Sequence, residues 1–211
     1  MIYVGGMLGI GKTTLVDILH KELNIKKYEE DVKGNKVLPL FYSSSEEEKQ
    51  LKRYPFLLQM NFLLGKVKIL DYALKDENAL IDRSVEEDRY FALMNKELGR
   101  ISSLEMEIYD NFYFQFQSLL KERLKEKKNL FIYLKGNFQL ILQRIKKRGR
   151  SFEIDDSLIS YYQFIFSKYD EYVYSTITDM DILTVEVEKE DFLNSYEDRK
   201  RIVGRVKEYF L

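Results

Sequence analysis

Hydrophobic residues along the chain fall into short unbroken runs and into longer segments with helical spacing. The short runs predict five strands, at residues 1–5, 28–32, 79–81, 129–134 and 182–185. The longer segments predict helices at residues 12–23, 46–74 (interrupted or kinked near Pro55), 85–98, 104–127, 139–147, 158–174 and 194–210. Because strands and helices alternate, the pattern predicts an α/β fold, in which helices flank a five-stranded parallel sheet.

Two of these helices carry side chains that make their buried faces distinctive. The apolar stripe of helix 46–74 is predicted to comprise Phe56, Leu57, Met60, Leu63, Leu64, Val67 and Leu70. Gln59 lies within that stripe, where a buried amide either bonds to backbone groups or lines a pocket. An aromatic face on helix 104–127 is typical of a core or a subunit interface, and comprises Tyr109, Phe112, Tyr113 and Phe116.

A glycine-rich segment connects the first predicted strand to the first helix. It has the spacing Gly6-x4-Gly11-Lys12-Thr13 of a phosphate-binding P-loop. Glycines let consecutive backbone N–H groups curl around an anion at the start of a helix, whose dipole also favours phosphate. We therefore expect a nucleoside triphosphate, with Lys12 at its β- and γ-phosphates and the Thr13 hydroxyl on Mg²⁺.

Composition and charge exclude several classes of protein. A chain of 211 residues suits a single domain over residues 1–211, and a net charge of −1 argues against a nucleic-acid partner. The sequence contains no cysteine, which excludes disulfides and thiolate metal sites, and no apolar run of transmembrane length. Because the first strand begins at Met1, we expect no signal peptide, no membrane partner and a cytoplasmic location.

Charged residues cluster at three places. An acidic group at residues 29–31 ends the second strand, and Asp82-Arg83-Ser84 follows the third, at the sheet edge where α/β folds bind ligands. Five of the eight residues from Gln143 to Arg150 are basic. The residues alone leave four interpretations of this basic run open: a helix C-terminus, an exposed segment, a nucleic-acid contact, or a lid over a triphosphate.

Among P-loop proteins, these features favour a small-molecule kinase over a GTPase, a motor or an assembly ATPase. The guanine-binding pattern Asn-Lys-x-Asp is absent, since Asn35-Lys36-Val37-Leu38 matches only its first two residues. The chain is also short for a motor. A kinase needs a base for the accepting hydroxyl and a mobile basic lid, for which Glu30 and residues 144–150 are the candidates.

From the P-loop to the last helix, the chain resembles the deoxynucleoside kinase family, whose members phosphorylate the 5′-hydroxyl of deoxynucleosides. Six segments carry the resemblance, in the family's order and with similar spacing. They are Glu30-Asp31-Val32, Leu40-Phe41-Tyr42, Phe56-Leu57-Leu58-Gln59, residues 82–90, Arg144-x3-Arg148-Gly149-Arg150-x2-Glu153, and residues 181–192.

The resemblance implies a role for each segment. Glu30 would be the base for the 5′-hydroxyl, and Arg83 would contact that hydroxyl and the transferred phosphate. The substrate site would comprise Glu30, Tyr42, Gln59, Lys66, Arg83, Asp88 and Glu153, with Gln59 and Asp88 at the nucleobase. The ATP site would comprise Gly6, Gly9, Gly11, Lys12, Thr13, Thr14, Arg144, Arg148, Arg150, Asp191 and Phe192. Thr13 and Asp82 would hold Mg²⁺.

Three departures from the family pattern bear on these roles. Asp31 replaces the proline that usually follows the catalytic glutamate. A second negative charge at this position would raise the pKa of Glu30. Lys66 replaces an arginine that, in the family, pairs with the aspartate at the nucleobase. Lysine offers a point charge instead of the planar, forked guanidinium of arginine. The loop at residues 136–138 also differs from the family's usual sequence.

The sequence thus predicts ATP-dependent phosphorylation of a deoxynucleoside in nucleotide salvage. Deoxyadenosine or deoxyguanosine is the expected substrate, and deoxycytidine stays open. The alternatives are a nucleoside monophosphate kinase similar to thymidylate kinase, and a P-loop nucleotide-binding regulator without catalysis. The aromatic helix and the family resemblance predict a homodimer.

Overall fold

A single parallel sheet forms the centre of the molecule. The computed structural model describes residues 1–30, 32, 34–125 and 127–210. In this part of the chain the strand order is β2-β3-β1-β4-β5. The strands are β1 (Ile2–Gly6), β2 (Lys26–Tyr28), β3 (Ala79–Asp82), β4 (Leu130–Lys135) and β5 (Asp181–Glu186). Every residue of β1 is buried, because helices cover both faces of the central strands.

Each helix that the hydrophobic spacing predicts occurs, with boundaries that shift by one to three residues, except that residues 46–74 form two helices. A further helix, over residues 37–43, was not predicted. The helices are α1 (Lys12–Leu23), α2 (Val37–Ser43), α3 (Glu46–Leu51), α4 (Tyr54–Ala73), α5 (Val85–Glu97), α6 (Ser103–Leu124), α7 (Phe138–Arg148), α8 (Ile159–Thr176) and α9 (Tyr196–Phe210). The predicted α/β fold with a five-stranded parallel sheet is confirmed. No helix in the described ranges combines the length and apolar character that crossing a membrane requires.

The second strand is shorter and earlier than its predicted range of 28–32. Strand β2 pairs only with β3, from Lys26 opposite Ala79 to Tyr28 opposite Ile81. Since β3 itself ends one residue later, at Asp82, Glu30 has no residue of β3 to pair with. Glu30 therefore lies in the loop beyond the strand.

The predicted helix at residues 46–74 is two helices, and the break precedes the proline. Arg53 adopts a left-handed conformation with φ of 56° between α3 and α4. Pro55 lies in the first turn of α4, where its missing N–H costs no hydrogen bond. The predicted interruption near Pro55 is therefore confirmed, and the proline starts the second helix instead of kinking a continuous one.

The buried face of α4 also differs from the predicted stripe. Leu57 and Leu64 are 44% and 54% exposed. The buried face instead includes the polar Gln59 and Lys66 together with Leu63. These three residues follow a spacing of four and then three, which is also helical. The predicted position of Gln59 on the buried face is confirmed, whereas counting apolar residues wrongly added the exposed Leu57 and Leu64 to that face.

The aromatic face of α6 divides between core and surface. Tyr109 and Tyr113 are buried in a small cluster with residues of α4 and α5. Phe112 is 57% exposed, and it continues a line of exposed apolar side chains along the same helix. We call this line the α6 stripe; it comprises Leu104, Ile108, Phe112 and Leu119.

Candidate active site

The main cavity opens at the carboxyl ends of β1 and β3. Its volume is about 440 Å³, and its walls come from the P-loop, the end of β3, α4, α5 and the end of α7. The register between strands explains this convergence: Val4 pairs with Asp82, and the Arg83 amide donates to the Val4 carbonyl. The phosphate loop and the Asp82-Arg83 turn therefore leave the sheet side by side.

The P-loop adopts the tight conformation that its glycines were predicted to allow. Gly6 and Gly9 have φ values of 142° and 76°, which side-chain-bearing residues rarely adopt. A Cβ at Gly6 would lie 2.7 Å from the Leu134 carbonyl oxygen, so the close packing against β4 also requires glycine. The loop thus holds its backbone amides in place at the start of α1.

Lys12 folds back over this loop. Its Nζ donates to the carbonyl oxygens of Gly6 at 2.8 Å and Met7 at 3.0 Å. Burial of the ammonium, with repulsion from Arg83, lowers the pKa of Lys12 to about 7. From α7, Arg144 donates to the Ile10 carbonyl, so a second cation closes over the loop. Both cations lie where a triphosphate would need them.

Thr13 and Asp82 place two side-chain oxygens next to each other beside the loop. The Thr13 hydroxyl donates to Asp82 Oδ2 at 2.9 Å. The described residues contain no group of three or more acidic, histidine or cysteine side chains that could hold a metal by itself. This pair fits Mg²⁺, which proteins commonly hold through one or two oxygen ligands while phosphates and waters complete the octahedron.

On the acceptor side, Lys66 binds Glu30. Lys66 is fully buried, and its Nζ lies 2.9 Å from Glu30 Oε1 and 4.0 Å from Asp88 Oδ2. Nζ also donates to the backbone carbonyls of Asp82 and Arg83, both at 2.9 Å. The arginine that Lys66 replaces is expected to pair with the aspartate, whereas here the nearer partner is the candidate base.

This arrangement keeps Glu30 ionised despite its burial. Burial raises the pKa of Glu30, but the attraction of Lys66 and Arg83 outweighs burial and holds the pKa below its ordinary value. Burial likewise opposes the charge on Lys66, yet Glu30 and Asp88 keep its pKa above the ordinary value. The expected effect of Asp31 on Glu30 remains a prediction, because Asp31 lies outside the described residues.

Gln59 and Asp88 face the same cavity with unused hydrogen-bonding atoms. Gln59 Oε1 and Asp88 Oδ2 are both buried and have no hydrogen-bond partner among the described residues. Burial raises the pKa of Asp88 well above its ordinary value, and the attraction of Lys66 does not offset it. A neutral Asp88 can donate a hydrogen bond as well as accept one. The two side chains suit a polar, planar ligand.

The arginines at the end of α7 and just after it pair with a nearby carboxylate, that of Glu153. Arg148 and Arg150 both pair with Glu153, the latter at 3.1 Å, and Glu153 is 3% exposed. Gly149 ends α7 in the left-handed conformation, with φ of 71°, which turns the chain back toward the cavity. Tyr42 packs against Phe152, at a centroid distance of 5.8 Å.

Most of the predicted site residues share this cavity. Those that line it are Gly9, Gly11, Lys12, Thr13, Thr14, Glu30, Tyr42, Gln59, Asp82, Arg83, Asp88, Arg144, Arg148, Arg150 and Glu153. Gly6 and Lys66 lie behind the wall, in contact with lining residues. Asp191 and Phe192 do not line it: Asp191 accepts from the amides of Leu193 and Asn194, and Phe192 is 1% exposed.

Sequence reasoning missed the apolar walls of the cavity. Phe62 and Phe91 line it, and the guanidinium of Arg83 lies 4.6 Å from the centre of the Phe91 ring. Phe62 lies three residues after Gln59, and Phe91 lies three residues after Asp88, the two residues predicted to contact the nucleobase. Since residues three apart share a helix face, that spacing could have identified both.

Fold and site together define a P-loop protein whose cavity extends from the phosphate loop to a polar wall formed by α4 and α5. The chain belongs to the deoxynucleoside kinase family, because a family model described as deoxynucleoside kinase matches residues 2–211. It is therefore an enzyme that transfers a phosphoryl group, which confirms the kinase prediction.

Individual relatives agree over the whole length. The chain is 33% identical to a deoxyguanosine kinase of Lactobacillus johnsonii, covering 98% of this chain and 90% of the relative. It is 31% identical to a deoxyadenosine kinase of Lactobacillus acidophilus, with coverages of 99% and 95%. A solved structure of deoxyadenosine kinase from M. mycoides with bound dATP superposes with a TM-score of 0.78 and 26% identity, covering 98% of both chains.

Proposed function

We propose that the protein transfers the γ-phosphoryl group of ATP to the 5′-hydroxyl of a purine 2′-deoxynucleoside in nucleotide salvage. The main support for this proposal is the position of Glu30. Its carboxylate lines the cavity that the P-loop also lines, and it is kept ionised by Lys66 and Arg83. An ionised carboxylate beside a phosphate-binding loop can accept the proton of an attacking hydroxyl.

The phosphate side needs positive charge more than covalent chemistry. Lys12, Arg144, Arg148 and the P-loop amides would neutralise the charge that develops on the transferred group. When bound, Mg²⁺ would neutralise further phosphate charge, held by Thr13 and Asp82. The pairing of Arg148 and Arg150 with Glu153 supports a lid at residues 144–153, with Glu153 and Tyr42 at the sugar.

The unpaired polar atoms of Gln59 and Asp88 favour a purine. N7 is a hydrogen-bond acceptor in both adenine and guanine, and Asp88, whose pKa burial raises well above its ordinary value, supplies a donor for it when protonated. Cytosine has no N7 and offers only N3 and O2 as acceptors. The Gln59 amide can turn to match either purine, because it carries one acceptor and one donor group. Deoxyadenosine should therefore be phosphorylated faster than 7-deazadeoxyadenosine by about tenfold, the worth of one hydrogen bond.

A radiolabelled ATP assay over the four deoxynucleosides tests this function directly. Glu30→Gln should bind ATP as the wild type does and lose at least about 100-fold in turnover, because the base is gone. Full activity of that variant would refute the role of Glu30. Deoxyadenosine monophosphate and thymidylate belong in the same panel: preference for a monophosphate would favour a nucleotide kinase, and ATP binding without transfer would favour a regulator.

The α6 stripe supports a homodimer. Its four exposed apolar side chains lie on one face of α6, and Leu57 and Leu64 are exposed on the neighbouring α4. An apolar surface of this extent is typical of a subunit interface. We also propose a cytoplasmic location, which fits the substrates of the family. Cell fractionation would check it.

A further inference from the structure

Glu87 is a buried carboxylate that joins three elements around the active site. It is fully buried and does not line the cavity. Glu87 Oε1 accepts from the Gly6 amide at 2.9 Å and from the Tyr169 hydroxyl of α8. Oε2 accepts from the Ser84 amide at 2.9 Å and completes a capping box at the start of α5. One anion therefore contacts the phosphate loop, the start of α5, and α8.

The same carboxylate faces Arg83. Arg83 Nη1 lies 3.4 Å from Glu87 Oε1, and Nη2 lies 3.5 Å from the Gly6 carbonyl. Both Glu87 and Glu30 attract the Arg83 guanidinium, and Glu87 is the stronger partner. The carboxylates of Glu30 and Glu87 thus balance the cations of Lys66 and Arg83, provided that Asp88 stays neutral.

We propose that Glu87 is a positioning residue that holds Arg83 against the phosphate loop and away from Glu30. With Arg83 held in this way, Glu30 keeps Lys66 as its direct partner and stays free to accept the proton of the 5′-hydroxyl. Arg83 is meanwhile kept where it can contact the transferred phosphate. This inference rests on the proposed function, because it assigns Glu87 a task in the same reaction.

Removing the charge of Glu87 should redirect Arg83. Glu30 is then the strongest remaining carboxylate partner for the guanidinium within the cavity. A second cation on Glu30 stabilises its ionised form and makes it a weaker base. Turnover should fall for that reason, whereas the KM for ATP should change less, because Lys12 and the loop amides remain.

Glu87→Gln tests the proposal, and Glu105→Gln is its matched control. Glu105 is the equivalent capping-box residue of α6 and pairs with Arg53 at the start of α4, and neither residue lines the cavity. Glu87→Gln should lower kcat at least about tenfold and move the acid limb of the kcat profile to lower pH. Glu105→Gln should reduce thermal stability and leave that profile in place. Equal pH profiles in the two variants would show that Glu87 only caps a helix.

A double-mutant cycle with Arg83→Met isolates the coupling. If Glu87 acts through Arg83, Glu87→Gln should have little further effect on kcat in the Arg83→Met background. Independent, multiplicative losses would overturn the proposal.

A titration without substrate separates this inference from the proposed function. The Glu30 carboxyl carbon, assigned by its loss in Glu30→Gln, can be followed by ¹³C NMR. Its midpoint should move to lower pH in Glu87→Gln, and an unmoved midpoint would refute the inference. Failure of the wild type to phosphorylate any deoxynucleoside would instead refute the proposed function, whatever the titration shows.

Discussion

At the scale of single residues, Lys66 organises the acceptor side. Its ammonium contacts the Glu30 carboxylate and two backbone carbonyls, and no part of the side chain reaches solvent. A buried cation of this kind contributes less to net stability than its contacts suggest, since desolvation opposes them. Its removal is nevertheless costly, because it leaves a buried carboxylate without its cation.

Lys66→Met should lower the free energy of unfolding by about 3–5 kcal/mol, measured by urea denaturation. Lys68→Met on the same helix is the control: Lys68 is exposed, so its loss should change stability by less than about 0.5 kcal/mol. Adding Glu30→Gln to Lys66→Met should recover part of the loss, because the unpaired charge disappears. Equal stability of the two single variants would contradict this account.

Lys12 should link ATP binding to proton uptake. Its pKa of about 7 in the free protein lies below that of an ordinary lysine, and triphosphate charge would raise it. The complex then binds more protons than the free protein above pH 7, so ATP affinity should fall as pH rises from there. Calorimetry at pH 8 in two buffers of different ionisation enthalpy measures this uptake. Identical heats in both buffers would argue against it.

Single-residue chemistry in the site was predictable where it follows a local pattern. Glu30, Gln59 and Asp88 were identified because their segments resemble family motifs. The partner of Lys66 was not, since its choice between Glu30 and Asp88 depends on distances across three elements. Glu87 was passed over for a related reason: in the sequence it is one acid among several at a helix start, where acids are common anyway.

At the scale of elements, helix ends were set by local chemistry. Ser84 and Ser102 both form capping boxes, so α5 and α6 begin within a residue of their predicted starts. Strand β2 was harder, because its length is set by β3 and not by its own residues. The break before α4 was predicted only as an interruption near Pro55, since its exact position depends on one left-handed residue, Arg53, that is not a glycine.

The end of α1 offers a clean test of backbone conformation. Asn24 ends α1 with φ of 53° and is exposed, so its replacement changes little except the backbone preference. Asn24→Ala should cost about 1 kcal/mol, because a Cβ without a local hydrogen-bonding group disfavours this conformation. Asn24→Gly should be neutral or stabilising. Thermal unfolding measures both, and we expect them to differ by about 2–4 °C. An alanine variant as stable as the glycine variant would contradict the assigned conformation.

At the scale of the whole molecule, the exposed apolar face of α6 predicts the oligomeric state. Phe112→Glu, at the centre of the α6 stripe, should convert a dimer into a monomer in sedimentation experiments, because a charge would be buried at the interface. Leu51→Glu is the control, since Leu51 is 75% exposed on α3 and lies outside the stripe. A monomeric wild type, or a dimeric Phe112→Glu, would refute the interface.

The central position of β1 has a consequence for how the protein comes to be made. The P-loop residues are synthesised before both of the strands that flank β1, which pairs with residues 80–82 on one side and residues 130–134 on the other. Pairing across such long separations slows folding, because the intervening chain must be ordered before the contacts form. A nascent chain emerging from the ribosome therefore carries a complete phosphate-loop sequence long before it can bind a nucleotide. Nucleotide binding would report the moment at which β3 and β4 have paired with β1.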